Sequence, residues 1–355
     1  MSDSKAAMSD SKAAMSDSKA AMSDSKAAKS ETPLLKATKL VKHFPITGGV
    51  LGREVAKVHA VNGVDLEIHK GECVGLVGES GCGKSTLGKT LVRLLEPTSG
   101  QINFDGTEIA KLKYKQLRPL KQRMQMIFQD PYGSLNPRMT IETILAEALN
   151  FHSIVPPEKT SSRINELLEL SGLSRAVRRK YPHEFSGGQR QRVGIARALT
   201  VNPEFILADE PVSALDVSIQ AQILNLLSDL RGELGLSYLF VSHDLKVVQH
   251  FCERVLIMYL GYIVEELPCD DLESDVKHPY SKALLGAIPV DDPRDRSDRV
   301  FLEGDVPSPI KLPTGCPFHT RCPQVMDVCK TTNPELVSIG KKGHRVACHA
   351  VDTDS

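Results

Sequence analysis

The feature that most constrains this chain is the stretch Gly78-Glu79-Ser80-Gly81-Cys82-Gly83-Lys84-Ser85-Thr86. From Gly78 to Ser85 it fits G-x-x-x-x-G-K-[ST] at every fixed position. An apolar run, Cys73-Val74-Gly75-Leu76-Val77, precedes it, and Leu87, Leu91 and Leu94-Leu95 follow at helical spacing. Strand, glycine loop, helix is the context this motif requires. Glycines let backbone N–H groups converge on phosphate oxygens, and the helix points its partial positive end at the same anion. Lys84 is expected to reach the β- and γ-phosphates, and Ser85 to ligate Mg²⁺ through its hydroxyl.

The surrounding pattern is that of an α/β domain. Phe205-Ile206-Leu207-Ala208 and Tyr238-Leu239-Phe240-Val241 read as two more buried strands. Between them Ile219, Ile223, Leu227 and Leu230 are spaced as one face of a helix. The alternation runs over residues 33–270, and the stretch from Met139 to Leu173 is mostly helical with a break at Pro156-Pro157. A helical subdomain is therefore expected within about 130–200. After Asp271 prolines interrupt every period, so 271–355 is expected as a separate, loop-rich unit. The first 28 residues are four copies of Met-Ser-Asp-Ser-Lys-Ala-Ala, too polar to bury a core, and 1–32 is expected as a disordered tail.

Composition narrows the function classes. At 355 residues two units are expected. The 44 Lys and Arg balance the 44 Asp and Glu, so nothing global points to nucleic acid or to an anionic membrane. No apolar run spans a bilayer; the longest candidate, Val255 to Val264, is broken by Gly261 and reads as paired strands. No apolar signal segment is visible, so a cytosolic chain with reduced cysteines is expected.

Two further positions carry chemistry. The strand from Phe205 ends in Asp209-Glu210, where one acid can hold Mg²⁺ through water and the other can polarise an attacking water. His243 directly follows the third strand, at the carboxyl edge where open α/β sheets bind ligands.

Taken together, the motifs resemble those of the ATP-binding cassette (ABC) ATPases. Phe185-Ser186-Gly187-Gly188-Gln189-Arg190-Gln191-Arg192 is similar to the family's signature, and Phe128-Gln129-Asp130 to its Q-loop. Leu207-Ala208-Asp209-Glu210-Pro211 resembles Walker B, Ser213-Ala214-Leu215-Asp216 the D-loop, and His243 the switch histidine. With the phosphate loop, Gly78 to Thr86, these stand in family order over roughly residues 34–270. The resemblance implies two cassettes packed head to tail around two ATP molecules. Ser186, Gly187, Gly188 and Gln189 of one would face the γ-phosphate held by the other. Glu210 would be the general base and His243 would position water and γ-phosphate. Gln129 would sense Mg²⁺ and relay that state to membrane subunits, with Ser85 and Asp209 as the other Mg²⁺ residues. Asp216 would bridge the dimer. Adenine is expected to stack on Phe44, with a residue nearer Val58 as the alternative.

Other stretches resemble the ATPase subunits of bacterial oligopeptide and dipeptide importers, of the type usually encoded second. They are His43-Phe44-Pro45-Ile46, Gln129 through Pro137, His278-Pro279-Tyr280-Ser281-Lys282-Ala283-Leu284-Leu285 and Glu303-Gly304-Asp305-Val306-Pro307-Ser308-Pro309. The implied partners are a paralogous ATPase, two membrane permeases and an extracytoplasmic peptide-binding protein. The implied place is the cytoplasmic face of the inner membrane. Nickel importers share the extension, so that solute class stays open. So does a reading as an ATP-switched metal or redox sensor, although the intact Glu210 and His243 argue against it. A soluble ABC protein of DNA repair or translation fits less well, because this chain has one cassette and no coiled-coil insertion.

Half of the eight cysteines fall near the end, at Cys316, Cys322, Cys329 and Cys348, while Cys73, Cys82, Cys252 and Cys269 are scattered. Clustered cysteines in a reducing compartment suggest a metal. The gaps lack a zinc knuckle and suit a wider iron–sulfur cubane. The resemblance points the same way, since some members of the group carry a [4Fe–4S] cluster there. Zinc with His319 or His349 assisting, and no metal at all, are the alternatives.

Overall fold

The computed structural model describes residues 32–48, 53–287, 304–340 and 343–351. The heptapeptide repeats, and the rest of the expected tail up to residue 31, lie outside the described residues, as does Glu303.

Two sheets organise the chain. The first is antiparallel and four-stranded. Long strands β1 (Leu35–Gly48) and β2 (Arg53–Ile68) pair along their length, and β4 (Ser99–Phe104) and β5 (Thr107–Glu108) extend the sheet beyond β1. The second sheet carries the chemistry. Its centre is a parallel set, β9 (Arg254–Tyr259), β3 (Cys73–Val77), β8 (Ser237–Val241), β7 (Phe205–Asp209) and β6 (Met124–Ile127), in that order. Every residue of β3, β7 and β8 is buried, as strands covered on both faces must be, which explains their unbroken apolar runs. The apolar stretch around Gly261 is the expected strand pair: β9 turns into antiparallel β10 (Tyr262–Pro268) with Tyr259 opposite Tyr262.

Helix α1 (Lys84–Leu91) lies between the sheets, touching β1 and β2 on one side and β7 and β8 on the other. Leu87 and Leu91 are fully buried there, whereas Leu94, beyond the helix end, is half exposed. Helix α2 (Tyr114–Arg123) leads into β6. Next come α3 (Ile141–Phe151), a single 3-10 turn at Pro157–Lys159, and α4 (Thr160–Leu170), so the helical insertion breaks at its proline pair as expected. Helix α5 (Gly187–Leu199) packs on both α3 and α4 and on β6. Helices α6 (Val217–Leu234) and α7 (Leu245–Phe251) complete the cassette.

The tail is loop-rich, but it is not a separate body. Beyond α8 (Pro279–Gly286) and the short α9 (Asp327–Thr331), strands β11 (Val337–Ser338) and β12 (Arg345–Val346) join the large sheet at its edge against β10. Tyr280 and Phe318 are fully buried against Tyr259 of β9, with ring centroids 4.7 and 5.3 Å away. The prolines broke the local periodicity, but the apolar side chains between them share the cassette core.

Candidate active site

The phosphate loop emerges from β3 and ends where α1 begins, so the helix N-terminus faces the loop's concavity. Gly78 and Gly83 have φ of 153° and 109°, and a Cβ on either would stand about 2 Å from a backbone oxygen, of Met258 or Ala60. Lys84 is buried and its Nζ donates to the carbonyls of Gly78 and Glu79 at 2.8 and 3.0 Å. Those bonds hold the ammonium in place.

The parallel register carries the acids to the same edge. Ser85 Oγ donates to Asp209 Oδ1 at 2.7 Å, joining the start of α1 to the end of β7. Asp209 is buried and Lys89 Nζ approaches its other oxygen at 3.5 Å. A hydroxyl and a carboxylate so placed are the hard oxygen donors that Mg²⁺ selects.

Glu210 sits one residue beyond β7 with φ 46°, an unusual value for a residue with a side chain. Its N–H is fixed by the Val241 carbonyl at 3.0 Å. Its carboxylate is met by two of the residues singled out in the sequence. Gln129 Nε2 donates to Glu210 Oε2 at 3.0 Å, and His243 Nδ1 lies 3.3 Å from the same oxygen. The strand ends of β6, β7 and β8 thus bring Gln129, Glu210 and His243 to one oxygen atom.

Ser186 caps α5. Its hydroxyl accepts from the Gln189 N–H, and the Gln189 side-chain oxygen accepts from the Ser186 N–H at 3.2 Å. Ser186 and Gly187 are exposed, while Gly188 is buried against Ile219. The same helix grips the segment that follows Gln129: Arg197 lies over Phe128 and donates to the Ser134 carbonyl, and Arg190 lies over Tyr132. Asp216 is exposed just before α6. Phe44 is half-buried on β1 with Lys42 Nζ 4.8 Å from its ring, and it pairs across the hairpin with Val58. Phe44 and the region of the alternative adenine position thus lie on the same hairpin.

Two of the tail cysteines are joined through the backbone, the Cys316 N–H donating to the Cys329 carbonyl at 2.8 Å. Burial raises the thiols of Cys316, Cys322 and Cys348, that of Cys316 to about 11, and each is raised further by neighbouring tail cysteines, Cys329 among them. Among the described residues no group of three or more His, Cys, Asp or Glu is drawn together as a metal-ion site. His319 Nδ1 and His349 Nε2 are engaged by the carbonyls of Cys316 and Thr332, at 2.8 and 3.0 Å. Of the other four cysteines, all buried, Cys73 and Cys252 are not scattered in space: their Sγ atoms lie 3.3 Å apart.

Sequence reasoning missed two residues at the loop. Tyr280 and Arg321 both bond Glu79, from 201 and 242 positions away in sequence. Tyr280 lies in a motif already singled out and Arg321 adjoins Cys322, but no local pattern pairs either with the loop.

Comparisons with known proteins agree with this geometry. A family profile described as ABC transporter matches residues 61–213, and one described as oligopeptide/dipeptide transporter, C-terminal region, matches 264–329. A putative peptide import ATP-binding protein of Brucella ovis is 51% identical over 89% of this chain and 98% of its own length. The oligopeptide transport ATP-binding protein AppF of Bacillus subtilis is 49% identical over 89% of this chain and 97% of its own. A solved dimeric ATP-binding cassette, in a post-hydrolysis state with ADP and phosphate, superposes with a TM-score of 0.59. It is 31% identical, covering 66% of this chain and 98% of that one. The chain belongs to the ABC transporter ATP-binding family: it is an ATPase cassette that binds ATP and Mg²⁺. Within that family its C-terminal region is of the oligopeptide/dipeptide transporter kind.

Proposed function

We propose that this chain is the ATPase subunit that powers import of di- or oligopeptides. The observation that carries the reading is the C-terminal extension, whose family description is that of peptide transporters and which the chain shares with its peptide-import relatives. Glu210 takes the proton of the attacking water, oriented by His243 and Gln129, whose side chains meet the same carboxylate oxygen. Lys84 leaves its carbonyls for the β- and γ-phosphates. Ser85 and Asp209 would hold Mg²⁺, which would supply positive charge against the phosphoryl oxygens. Ser186, Gly187, Gly188 and Gln189 of one cassette close over the nucleotide of a second, paralogous one, with Asp216 at their contact and Phe44, or a residue nearer Val58, under adenine.

The second cassette, two permeases and a peptide-binding protein complete the importer, and this chain sits on the cytoplasmic face of the inner membrane. No helix among the described residues is long and apolar enough to cross it. The exposed Tyr132, three residues after Gln129, lies under Arg190, which also bonds the Pro182 carbonyl beside the exposed Tyr181. Exposed aromatic residues following the Mg²⁺ sensor in sequence suit a permease helix. The segments proposed are the tail up to 32, the cassette over 33–270 and the extension over 271–355.

A [4Fe–4S] cluster on Cys316, Cys322, Cys329 and Cys348 belongs to this reading. Its support is the run of four cysteines in one short segment of sequence, together with histidines already engaged by backbone carbonyls, which favours a cubane over zinc. When bound, it would cross-link a segment poor in regular structure.

Co-purification from membranes tests the assignment. The chain is expected with two permeases and a second ATPase, in a complex whose ATP turnover is raised by peptide-loaded binding protein. Turnover raised by a nickel-loaded binding protein instead would move the solute to that class.

A further inference from the structure

The C-terminal extension reaches the nucleotide loop at one residue, Glu79. The Glu79 N–H donates to the Tyr280 hydroxyl oxygen at 2.9 Å. Its carboxylate receives both ends of the Arg321 guanidinium, Nη1 to Oε2 at 2.9 Å and Nη2 to Oε1 at 3.2 Å. Its carbonyl accepts from Lys84. All three polar groups of Glu79 are therefore held, two of them by residues outside the cassette motifs.

Both anchors are rigid. Tyr280 is fully buried among Tyr259 and Phe318. The Arg321 side chain is 7% exposed and lies along the Tyr259 ring, with Nη1 3.5 Å from its hydroxyl. Its backbone N–H closes a turn onto the Phe318 carbonyl at 3.0 Å, in the loop that runs from Cys316 to Cys322.

We propose that Tyr280 and Arg321 are positioning residues for ATP binding, through which the cysteine-bearing extension holds the phosphate loop in its receptive shape. When a triphosphate arrives, Lys84 must let go of the Gly78 and Glu79 carbonyls. The bonds that then keep the loop from following the lysine are those from Tyr280 and Arg321. Arg321 has a second effect: it neutralises a carboxylate in the loop that receives a polyanion, where a free charge would repel the ligand. The inference rests on the reading of Gly78 to Thr86 as the ATP loop.

The test is ATP binding and steady-state turnover by the intact transporter carrying single substitutions. Tyr280→Phe removes one oxygen from a packed ring and is expected to weaken ATP binding about threefold to tenfold, the value of one neutral hydrogen bond. Arg321→Met removes a bidentate charged pair and is expected to weaken it about tenfold or more, with Arg321→Lys recovering part of the loss. KM for ATP should rise while kcat at saturation stays within about twofold. The double variant should lose less than the product of the singles, because both act through Glu79. Unchanged ATP affinity in Tyr280→Phe and Arg321→Met, or a fall in kcat at constant KM, would overturn the proposal. Failure of the unsubstituted transporter to bind ATP would instead reject the reading of the loop. If Arg321→Met does not fold, Tyr280→Phe alone decides.

Discussion

Lys84 and Glu210 answer different questions about the same nucleotide. Lys84 is the only ammonium bonded within the loop among the described residues, so Lys84→Ala should weaken ATP binding at least tenfold in a nucleotide titration. Unchanged affinity would remove the lysine from the site. Glu210→Gln keeps the shape of the side chain and its contact with Gln129, but an amide cannot take the water proton. Binding should survive while turnover falls by about a hundredfold or more, and the ATP-bound dimer should accumulate. Undiminished hydrolysis would give the proton to another base. Lys84 was legible through its glycine-loop motif and Gln129 through a family resemblance, while Glu210 and His243 were legible because each stands just beyond a buried strand, and strand ends in a parallel sheet share an edge. Tyr280 and Arg321 were not, because a contact made across more than 200 residues leaves no spacing to read.

At the scale of elements, helix starts carry the function, and two of them make distinct predictions. Ser186 caps α5 and is exposed, and in the proposed head-to-tail pair it would face the partner's nucleotide. Ser186→Ala should cost about 1 kcal/mol of stability, read by thermal denaturation, and should depress turnover without changing ATP affinity of the single cassette. A loss of affinity there would place Ser186 in its own chain's site. His278 starts α8, where its Nδ1 accepts from the Tyr280 N–H at 3.1 Å, an acceptor it can offer only when neutral. Burial lowers its pKa from 6.5 to about 4, against the opposing pull of Glu265. Below about pH 6.5 the unfolded chain therefore takes a proton that the folded chain refuses. Stability is full above pH 6.5 and falls as the pH drops toward 4, by up to about 3 kcal/mol. His278→Asn keeps a capping side chain and should flatten that loss across pH 7 to 5. Parallel melting curves for the two proteins would contradict it. Strands β3, β7 and β8, the β9–β10 pair and helix α6 were legible through their apolar runs and periods, whereas the antiparallel sheet of β1, β2, β4 and β5 was not read. The joining of β12 to β10 was not, because a two-residue strand has no period, and proline runs hid the buried Phe318 between them.

Across the whole molecule, the extension is continuous with the cassette: it adds edge strands, fills a core against β9 and reaches the nucleotide loop. A cluster on the four tail cysteines would cross-link the loop that carries Arg321. Protein purified without oxygen should be brown, with about four iron and four sulfide per chain. Cys329→Ser should lose the colour and raise KM for ATP, as Arg321→Met does. Stoichiometric zinc, or no metal, would reject the cluster while leaving the Glu79 contacts to be judged by Tyr280→Phe. ATP hydrolysis by this cassette is expected to drive peptides across a membrane. The most direct measurement is ATP-dependent uptake of labelled di- and oligopeptides into vesicles holding the complete transporter and its binding protein. Uptake should need hydrolysable ATP and disappear with Glu210→Gln in this chain. Peptide uptake that persists in that variant, or ATP turnover with no peptide moved, would contradict it.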